Sequence, residues 1–388
     1  MKITAVEILR LRGPAPERPS WYRQSRPLAH YPQHAPTSRW QSRSADPGVQ
    51  EADYLQIRAG DHLGLYGPVD RPASTVVTNE LRDFLIGKDP RAIAIVWDQM
   101  NRRDRHSRSS YPMMAISAVD NALWDLAGRL HGVPVYELLG GPRAATVEAY
   151  ASTLGTSLDE GAAEDRARAL ADAGFAHQKW FFAYGPGDGP SGMAANVDLA
   201  RRLRTAVGED VELMFDAFMS WNLPYAREWL RRAGQFRPYW LEEPLPPDQL
   251  EATATLNRES EVPISAGEHL YGRWEAQRYL AAEAVSILQS DPEWCGGVSE
   301  LVRICTVGSL HGVPVIPHGH GIRAALHGVA SQPPSICPRV EYLLEFMPFK
   351  LHFEQAIPTP VDGRITLGPE PGFGIAFDES RIDDIRTL

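Results

Sequence analysis

The chain carries a regular series of acidic residues, each of which closes a short β-rich run. Asp216, Glu242 and Glu268 end such runs, and successive members of the series lie 26 positions apart. A strand, a helix and two loops take about that length in a (β/α)8 barrel, whose strands all end at one face. The spacing therefore predicts a TIM-like barrel in which three carboxylates from neighbouring strand ends converge.

Converging carboxylates repel one another, and a hard divalent cation relieves that repulsion. Oxygen-only ligation with open coordination positions is typical of Mg²⁺. We therefore interpret Asp216, Glu242 and Glu268 as ligands of one Mg²⁺ ion per subunit. An acidic residue at a strand end can also be the N-cap of the following helix. That alternative explains any one of the three residues more easily than it explains their equal spacing.

The same period continues downstream and brings a second kind of chemistry. Asp291 lies 23 positions after Glu268, and His318 lies 27 positions after Asp291. A carboxylate that accepts a hydrogen bond from one ring nitrogen fixes the tautomer of a histidine and raises its basicity. The spacing thus predicts a general base made of His318 and Asp291. A polar residue in a turn rich in proline and glycine is the structural alternative for His318.

Several motifs carry a resemblance to a known family. They are Leu241–Pro244 (Leu-Glu-Glu-Pro), Ser265–His269 (Ser-Ala-Gly-Glu-His), Gly132–Gly141 and the Asp291/His318 pair. With them, the whole chain resembles the mandelate racemase branch of the enolase superfamily. Three further motifs are similar to those of the L-rhamnonate dehydratases and related acid-sugar dehydratases: Gln289–Gly297, Ile316–Gly319 and Pro371–Gly374.

The resemblance implies an α/β fold, namely a (β/α)8-type (TIM-like) barrel with an α+β capping domain built from the N-terminal region and the C-terminal tail. We place the cap in residues 1–130, the barrel in 131–357 and the segment returning to the cap in 358–388. It also implies Mg²⁺-assisted removal of the proton α to a carboxylate, through an enediolate. This reaction needs such help, because an enediolate carries two negative charges on adjacent oxygens.

A long segment, at about residues 12–48, has neither strand nor helix periodicity and is rich in Pro, Arg, His and aromatic residues. A segment of this length in a compact domain is usually a functional lid or disordered. Its aromatic and basic residues favour a lid over the substrate. The resemblance implies that His34 contacts the substrate, and Arg39 is a further candidate. A subunit interface is the alternative.

The second predicted barrel strand ends in Lys179, whose charge is suited to stabilise a substrate carboxylate. Resembling racemases carry Lys-x-Lys there, whereas residues 179–181 of this chain are Lys-Trp-Phe. A site with a base on one side favours dehydration, in which His318 acts as base and then as acid, over a 1,1-proton transfer. A second base, His34 or His269, would reverse that preference.

The eighth predicted strand offers two more glutamates. Glu341 precedes a Tyr-Leu pair, as a glutamate does in the resembling dehydratases, and we expect it to hydrogen-bond the substrate carboxylate or enediolate in a protonated form. Glu345 is the fallback, and either residue could instead form an ordinary ion pair at a strand end. His269, next to Glu268, is a further candidate for substrate binding.

Composition and net charge indicate which kinds of binding partner to expect. A net charge of −10 with no long basic run gives no reason to expect nucleic acid or an anionic membrane. Three cysteines without CxxC spacing predict neither a disulfide framework nor a zinc site. We therefore expect a cytoplasmic protein that binds a small-molecule sugar acid. By analogy with the resembling family it would be a homo-oligomer, from dimer to octamer.

Three functions remain open. The first is an acid-sugar dehydratase, a hydro-lyase that converts an aldonate such as rhamnonate to a 2-keto-3-deoxy acid. The second is an epimerase or cycloisomerase that uses the same enediolate. The third is a barrel that binds a sugar acid or a partner protein without turnover. The complete set of five strand-end groups argues against the third.

Overall fold

The computed structural model describes residues 1–17, 22–31 and 48–388. His34 and Arg39, together with most of the predicted lid, lie outside the described residues. A short 3-10 turn at Pro27–His30 belongs to the described part of that segment.

The cap contains an antiparallel sheet with the strand order β12-β1-β2-β3. Its strands are β1 (Ala5–Pro14), β2 (Val49–Ala59), β3 (His62–Val69) and β12 (Asp384–Thr387). Val6 and Ile8 lie on either side of Glu7 in β1 and are buried on one face, and Leu11 is buried further along the strand. Because β12 pairs with β1 from Leu9 to Arg12, both ends of the chain build the cap, as the sequence predicts.

Helices complete the cap. They are α1 (Arg71–Val76), α2 (Arg82–Leu85), α3 (Ile93–Arg103), α4 (Ser110–His131) and α5 (Val135–Leu138), with a π-helical turn at Val77–Leu81. The apolar stripe of α4, which includes Ile116, Val119 and Leu123, is buried in the core of the cap. Gly132 ends α4 in the left-handed conformation (φ 70°). No helix in the described ranges combines the length and apolarity needed to cross a bilayer.

The barrel is a parallel sheet with the order β10-β4-β5-β6-β7-β8-β9. Its strands are β4 (Thr146–Ser152), β5 (His177–Phe181), β6 (Glu212–Asp216), β7 (Trp240–Glu242), β8 (Ile264–Ala266), β9 (Ile287–Leu288) and β10 (Arg339–Leu343). The helices between them are α6 (Ala162–Asp172), α7 (Gly189–Val207), α8 (Leu223–Ala233), α9 (Leu250–Glu259), α10 (Gly272–Ala281), α11 (Val298–His311) and α12 (Ile322–Ala330). The predicted fold class is therefore confirmed.

The seventh strand position differs from the sequence-based expectation. The spacing that places His318 at a strand end predicts a strand over residues 313–318, but this segment contributes one parallel bridge, between Val315 and Leu288. The N–H of Ile316 donates to the carbonyl of Leu288 at 2.8 Å. Pro314 and Pro317 have no N–H to donate, so a continuous run of hydrogen bonds cannot form here. The segment still passes beside β9 and delivers its last residue to the carboxyl end of the sheet.

The C-terminal segment contacts the cap both before and after it adds a strand to the barrel. Glu354 accepts a hydrogen bond from the O–H of Tyr54 on β2, and Phe353 lies in the core of the cap. After α13 (Phe346–Lys350), strand β11 (Arg364–Thr366) pairs antiparallel with β4. Phe373 and Ile375 then pack into the core of the cap, and β12 joins its sheet.

Hydrogen bonds from α4 attach the cap to the loop that follows β9. Ser117 Oγ accepts from the N–H of Gly296, and Asn121 Oδ1 accepts from the N–H of Val298, both at 2.8 Å. Asp120, which is fully buried, accepts from the N–H of Ser299. Gly297 lies against it with φ at 89°, and a Cβ there would lie 2.2 Å from Asp120 Oδ2. Only glycine fits this contact without strain.

We expect Gly297→Ala to lower the free energy of unfolding by about 3 kcal/mol or more, because backbone strain adds to a clash with a buried carboxylate. Gly312→Ala is the matched control. Gly312 has φ 67° but nothing within 4 Å of its missing Cβ, so we expect a loss of about 1 kcal/mol. Urea unfolding measures both changes, and equal losses would contradict the proposed contact.

Candidate functional site

The predicted acidic series lies at the carboxyl ends of neighbouring barrel strands. Asp216 is the last residue of β6 and Glu242 the last residue of β7, and the two are partners in register. Glu268 lies two positions beyond the end of β8. Their relative exposures are 4%, 1% and 5%. Burial of this much acidic charge requires cationic partners.

Lys179, on β5, is the first such partner. Its Nζ lies 2.5 Å from Glu242 Oε1 and 2.8 Å from Glu341 Oε1. Asp216 Oδ2 is 3.4 Å away. Burial lowers the pKa of Lys179, but the negative charges of Glu242 and Glu341 outweigh it and raise the pKa well above its ordinary value. An ammonium group therefore lies among three carboxylates inside the barrel.

Both side-chain oxygens of Glu242 have partners. Its Oε2 accepts from Trp240 Nε1 at 3.0 Å and from Gln289 Nε2 at 2.8 Å. Burial raises the pKa of Glu242 well above its ordinary value and that of Asp216 to about 6, in each case against the opposing charge of Lys179. A further cation would therefore stabilise both carboxylates.

A second group forms around Glu268. Within the described ranges, one set of three His, Cys, Asp or Glu side chains has potential metal-ligand atoms within 4.8 Å of one another, and it consists of Glu243, Glu268 and His269. His269 Nδ1 lies 3.0 Å from Glu243 Oε2 and 3.7 Å from Glu268 Oε1. Burial lowers the pKa of His269, but Glu243 raises it to about 9. This imidazole is therefore charged at neutral pH.

The three expected magnesium ligands thus fall into two neighbouring groups. Asp216 and Glu242 pair with Lys179, whereas Glu268 pairs with imidazoles. Burial raises the pKa of Glu268 to about 7 against the opposing charge of His318, and the charge of Glu268 contributes to the raised pKa of Asp216. The two groups therefore interact electrostatically, although their carboxylates are turned towards different cations.

His318 and Asp291 form a direct pair. His318 Nδ1 lies 2.8 Å from Asp291 Oδ2, and the other Asp291 oxygen accepts from the N–H of Glu293 at 2.6 Å. His318 Nε2 lies 3.4 Å from Glu268 Oε2. Burial lowers the pKa of His318, but Glu268 and then the hydrogen bond to Asp291 raise it to about 10. Asp291 thus orients the imidazole, and the negative charge of Glu268 stabilises its protonated form.

The two glutamates considered for the eighth strand have different surroundings. Glu341 is fully buried, and its Oε2 accepts from the N–H of Gly319 at 2.8 Å. Burial raises the pKa of Glu341, but Lys179 outweighs it and lowers the pKa to about 2. It is therefore ionised in the free protein, whereas the sequence-based expectation concerned a complex with substrate. Glu345 is 3.2 Å from Arg166 at the partly exposed edge of the barrel, apart from this cluster.

Sequence reasoning missed three residues that the structure brings to the cluster: Glu243, Gln289 and Trp294. Glu243 was visible inside the Leu-Glu-Glu-Pro motif, but the strand-end spacing selects only the first of its two glutamates. Gln289 and Trp294 flank Asp291 within one quoted motif. Their roles depend on contacts between strands that no local spacing encodes.

We expect Glu243→Gln to lower the pKa of His269 from about 9 towards its ordinary value of 6.5, because the variant removes the negative charge that contributes most to raising it. Titration of ¹³C-labelled histidines by NMR, in protein treated with a chelator, measures this pKa. Glu345→Gln is the control, since Glu345 pairs with Arg166 instead. An unchanged titration of His269 in Glu243→Gln would refute the pairing.

Comparison with known proteins adds an independent line of information. A family model described as "Mandelate racemase / muconate lactonizing enzyme, N-terminal domain" matches residues 58–140. A second model, "Enolase C-terminal domain-like", matches residues 162–381. The second match includes every strand end that carries the groups described above.

Individual relatives agree with these matches. The L-rhamnonate dehydratase of Saccharopolyspora erythraea is 32% identical over 365 residues, which cover 91% of this chain and 88% of that protein. A crystal structure of L-rhamnonate dehydratase from Gibberella zeae has a TM-score of 0.83 at 28% identity and covers 98% of this chain and 94% of that one. A rhamnonate dehydratase structure from Gibberella zeae complexed with Mg has a TM-score of 0.81 at 27% identity and covers 98% of this chain and 95% of that one. The 3,6-anhydro-D-galactonate cycloisomerase of Zobellia galactanivorans has a TM-score of 0.79 at 25% identity and covers 99% of this chain and 100% of that one.

Proposed function

Because the chain belongs to the mandelate racemase/muconate lactonizing enzyme family, we propose that it is a magnesium-dependent hydro-lyase that dehydrates an acid sugar to a 2-keto-3-deoxy acid. One observation carries this proposal. The buried His318–Asp291 pair points its second ring nitrogen towards Glu268, one of the expected metal ligands. A base thus adjoins the group that would hold the substrate carboxylate through a cation.

Asp216, Glu242 and Glu268 are the residues that would hold Mg²⁺. The donor set fits the ion, because all three groups offer oxygen atoms and all three have pKa values raised by burial. Lys179 would keep Glu341 as a partner at 2.8 Å if Glu242 turned to a metal ion. When bound, Mg²⁺ supplies Lewis-acid stabilisation of the charge that develops on the substrate carboxylate.

The chain's own residues supply the proton transfers. His318 Nε2 accepts the proton from C2 of the substrate, while Asp291 offsets the positive charge that the imidazole gains. The C3–O bond then breaks, and His318 returns the proton to the departing hydroxide, which leaves as water. The remaining enol tautomerises to the 2-keto-3-deoxy acid. Lys179 stabilises negative charge on the substrate side facing the barrel interior.

A proton-accepting role for His318 also requires a neutral imidazole. In the free protein the charge of Glu268 contributes most to raising the pKa of His318, against the effect of burial. Neutralisation of Glu268 by a bound cation would remove that contribution. Cation binding and the availability of the base are therefore coupled in this proposal.

The substrate class follows from the relatives and the chemistry together. We propose an aldonate with a C2 proton and a C3 hydroxyl, and a rhamnonate-like acid is the first to test, because two of the relatives compared above are named for that activity. We also propose that the protein is cytoplasmic and assembles into a homo-oligomer.

An epimerase or cycloisomerase is the second candidate. The observation that favours it is the charged His269–Glu243 pair beside Glu268, which offers a second acid–base group. The cycloisomerase from Zobellia galactanivorans has a similar fold across 99% of this chain. Phe181, in place of a second lysine, favours the dehydratase instead.

A screen of purified protein with excess Mg²⁺ against aldonic and aldaric acids tests the proposal. Semicarbazide absorbance detects 2-keto-3-deoxy product, and NMR in D₂O detects exchange at C2. Keto acid from one or a few diastereomers supports the dehydratase. Deuterium uptake without keto acid would replace it by the second candidate, and inactivity with every acid would refute both.

We expect His318→Asn to reduce kcat by about 10²–10⁴-fold or more, because no other group would take the C2 proton at that position. Substrate and Mg²⁺ binding, measured by calorimetry, should stay close to those of the wild type. A kcat near that of the wild type would exclude His318 as the base.

We expect Glu242→Gln to weaken Mg²⁺ binding by about 10- to 100-fold or more, since a ligand charge is lost. Glu345→Gln is the matched control and should leave the affinity unchanged, because Glu345 pairs with Arg166 outside the cluster. Calorimetric titration with MgCl₂ compares the two variants. Unchanged affinity in Glu242→Gln would remove this residue from the ligand set.

A further inference from the structure

Trp294 is fixed in place by the same loop that carries Asp291. The N–H of Trp294 donates to the Asp291 carbonyl at 3.0 Å, and the N–H of Cys295 donates to the same oxygen at 2.7 Å. The loop continues into Gly296, which α4 of the cap holds through Ser117. Trp294 therefore has a defined position relative to the His318–Asp291 pair.

The indole of Trp294 borders the place where a substrate would react. Its ring centroid lies 4.9 Å from that of His318 and 5.6 Å from that of His269. Both imidazoles lie next to Glu268, at 3.4 and 3.7 Å. The aromatic face thus adjoins the proposed base, the charged second histidine and one expected metal ligand.

The indole nitrogen of Trp294 is buried and has no hydrogen-bond acceptor among the described residues. An indole N–H can only donate, and a buried donor without an acceptor destabilises a protein. Tryptophan side chains in buried positions normally find an acceptor. Beside two imidazoles and a carboxylate that face the reaction site, the missing acceptor is most simply an oxygen atom of the ligand.

On the basis of the proposed function, we propose that Trp294 is a specificity-determining residue of this enzyme. Its N–H donates to a hydroxyl oxygen of the sugar acid beyond C3, and its ring packs against the C–H groups there. In the proposed reaction the carboxylate and the C2 hydroxyl would lie towards the cation, and the C3 hydroxyl leaves as water. The hydroxyls further along the chain are the ones that still need a protein partner.

The test combines protein variants with deoxy substrates. Trp294→Phe keeps an aromatic ring beside His318 but removes the N–H. For the preferred acid we expect kcat/KM to fall about tenfold, chiefly through a higher KM. For the one deoxy analogue, at C4 or C5, that lacks the recognised hydroxyl, we expect wild type and Trp294→Phe to have equal kcat/KM. If Trp294 had a purely structural role, Trp294→Phe would lower kcat/KM equally for the preferred acid and for the deoxy analogue.

Trp274→Phe is the control for loss of an indole, because Trp274 is half exposed on α10 and stacks on Trp97 instead. It should leave all kinetic constants unchanged. An unchanged KM in Trp294→Phe, or equal losses with every deoxy analogue, would overturn the inference.

Failure of the proposed function would be visible separately. If the wild type dehydrates no acid, calorimetry of the same acids with Mg²⁺ compares wild type with Trp294→Phe. About tenfold weaker binding by the variant, together with equal binding of one deoxy analogue by both proteins, would support the role of Trp294 in recognition. Equal affinities would refute it.

Discussion

Concentrated negative charge inside the barrel is the constraint on which the rest of the site depends. Buried carboxylates are stable only with cationic or hydrogen-bonding partners, and each one here has such a partner. Lys179 neutralises those at the ends of β6 and β7 and the glutamate within β10. Imidazoles take up the charge beyond β8 and β9. The arrangement of the cations therefore decides which way each acidic side chain turns.

Glu268 connects the two halves of this charge network. Its charge contributes to the raised pKa values of His318, His269 and Asp216. A change in its charge therefore reaches the proposed base, the second imidazole and another expected ligand together. In the proposed enzyme, metal binding and proton transfer are consequently two aspects of one electrostatic equilibrium.

Equal spacing predicted the barrel because the length of a strand–helix unit is fixed by geometry, and Asp216, Glu242 and Glu268 do lie at successive strand ends. The predicted seventh strand, residues 313–318, forms only one bridge, because its two prolines cannot donate hydrogen bonds. The segment nevertheless follows the path of a barrel strand. The pairing of Glu243 with His269 was not predictable from spacing, since it depends on side-chain direction across two loops. His34 and Arg39 remain predictions outside the described residues.

The pairing of β12 with β1 has a consequence for the timing of folding. Strand β1 ends at Pro14, and its partner begins about 370 residues later, at Asp384. At about 5–20 residues per second, synthesis leaves this edge of the cap sheet unpaired for roughly 20–70 s. Unpaired strand edges invite association with other chains. During translation, the nascent cap thus presents an edge that only the last part of the chain can cover.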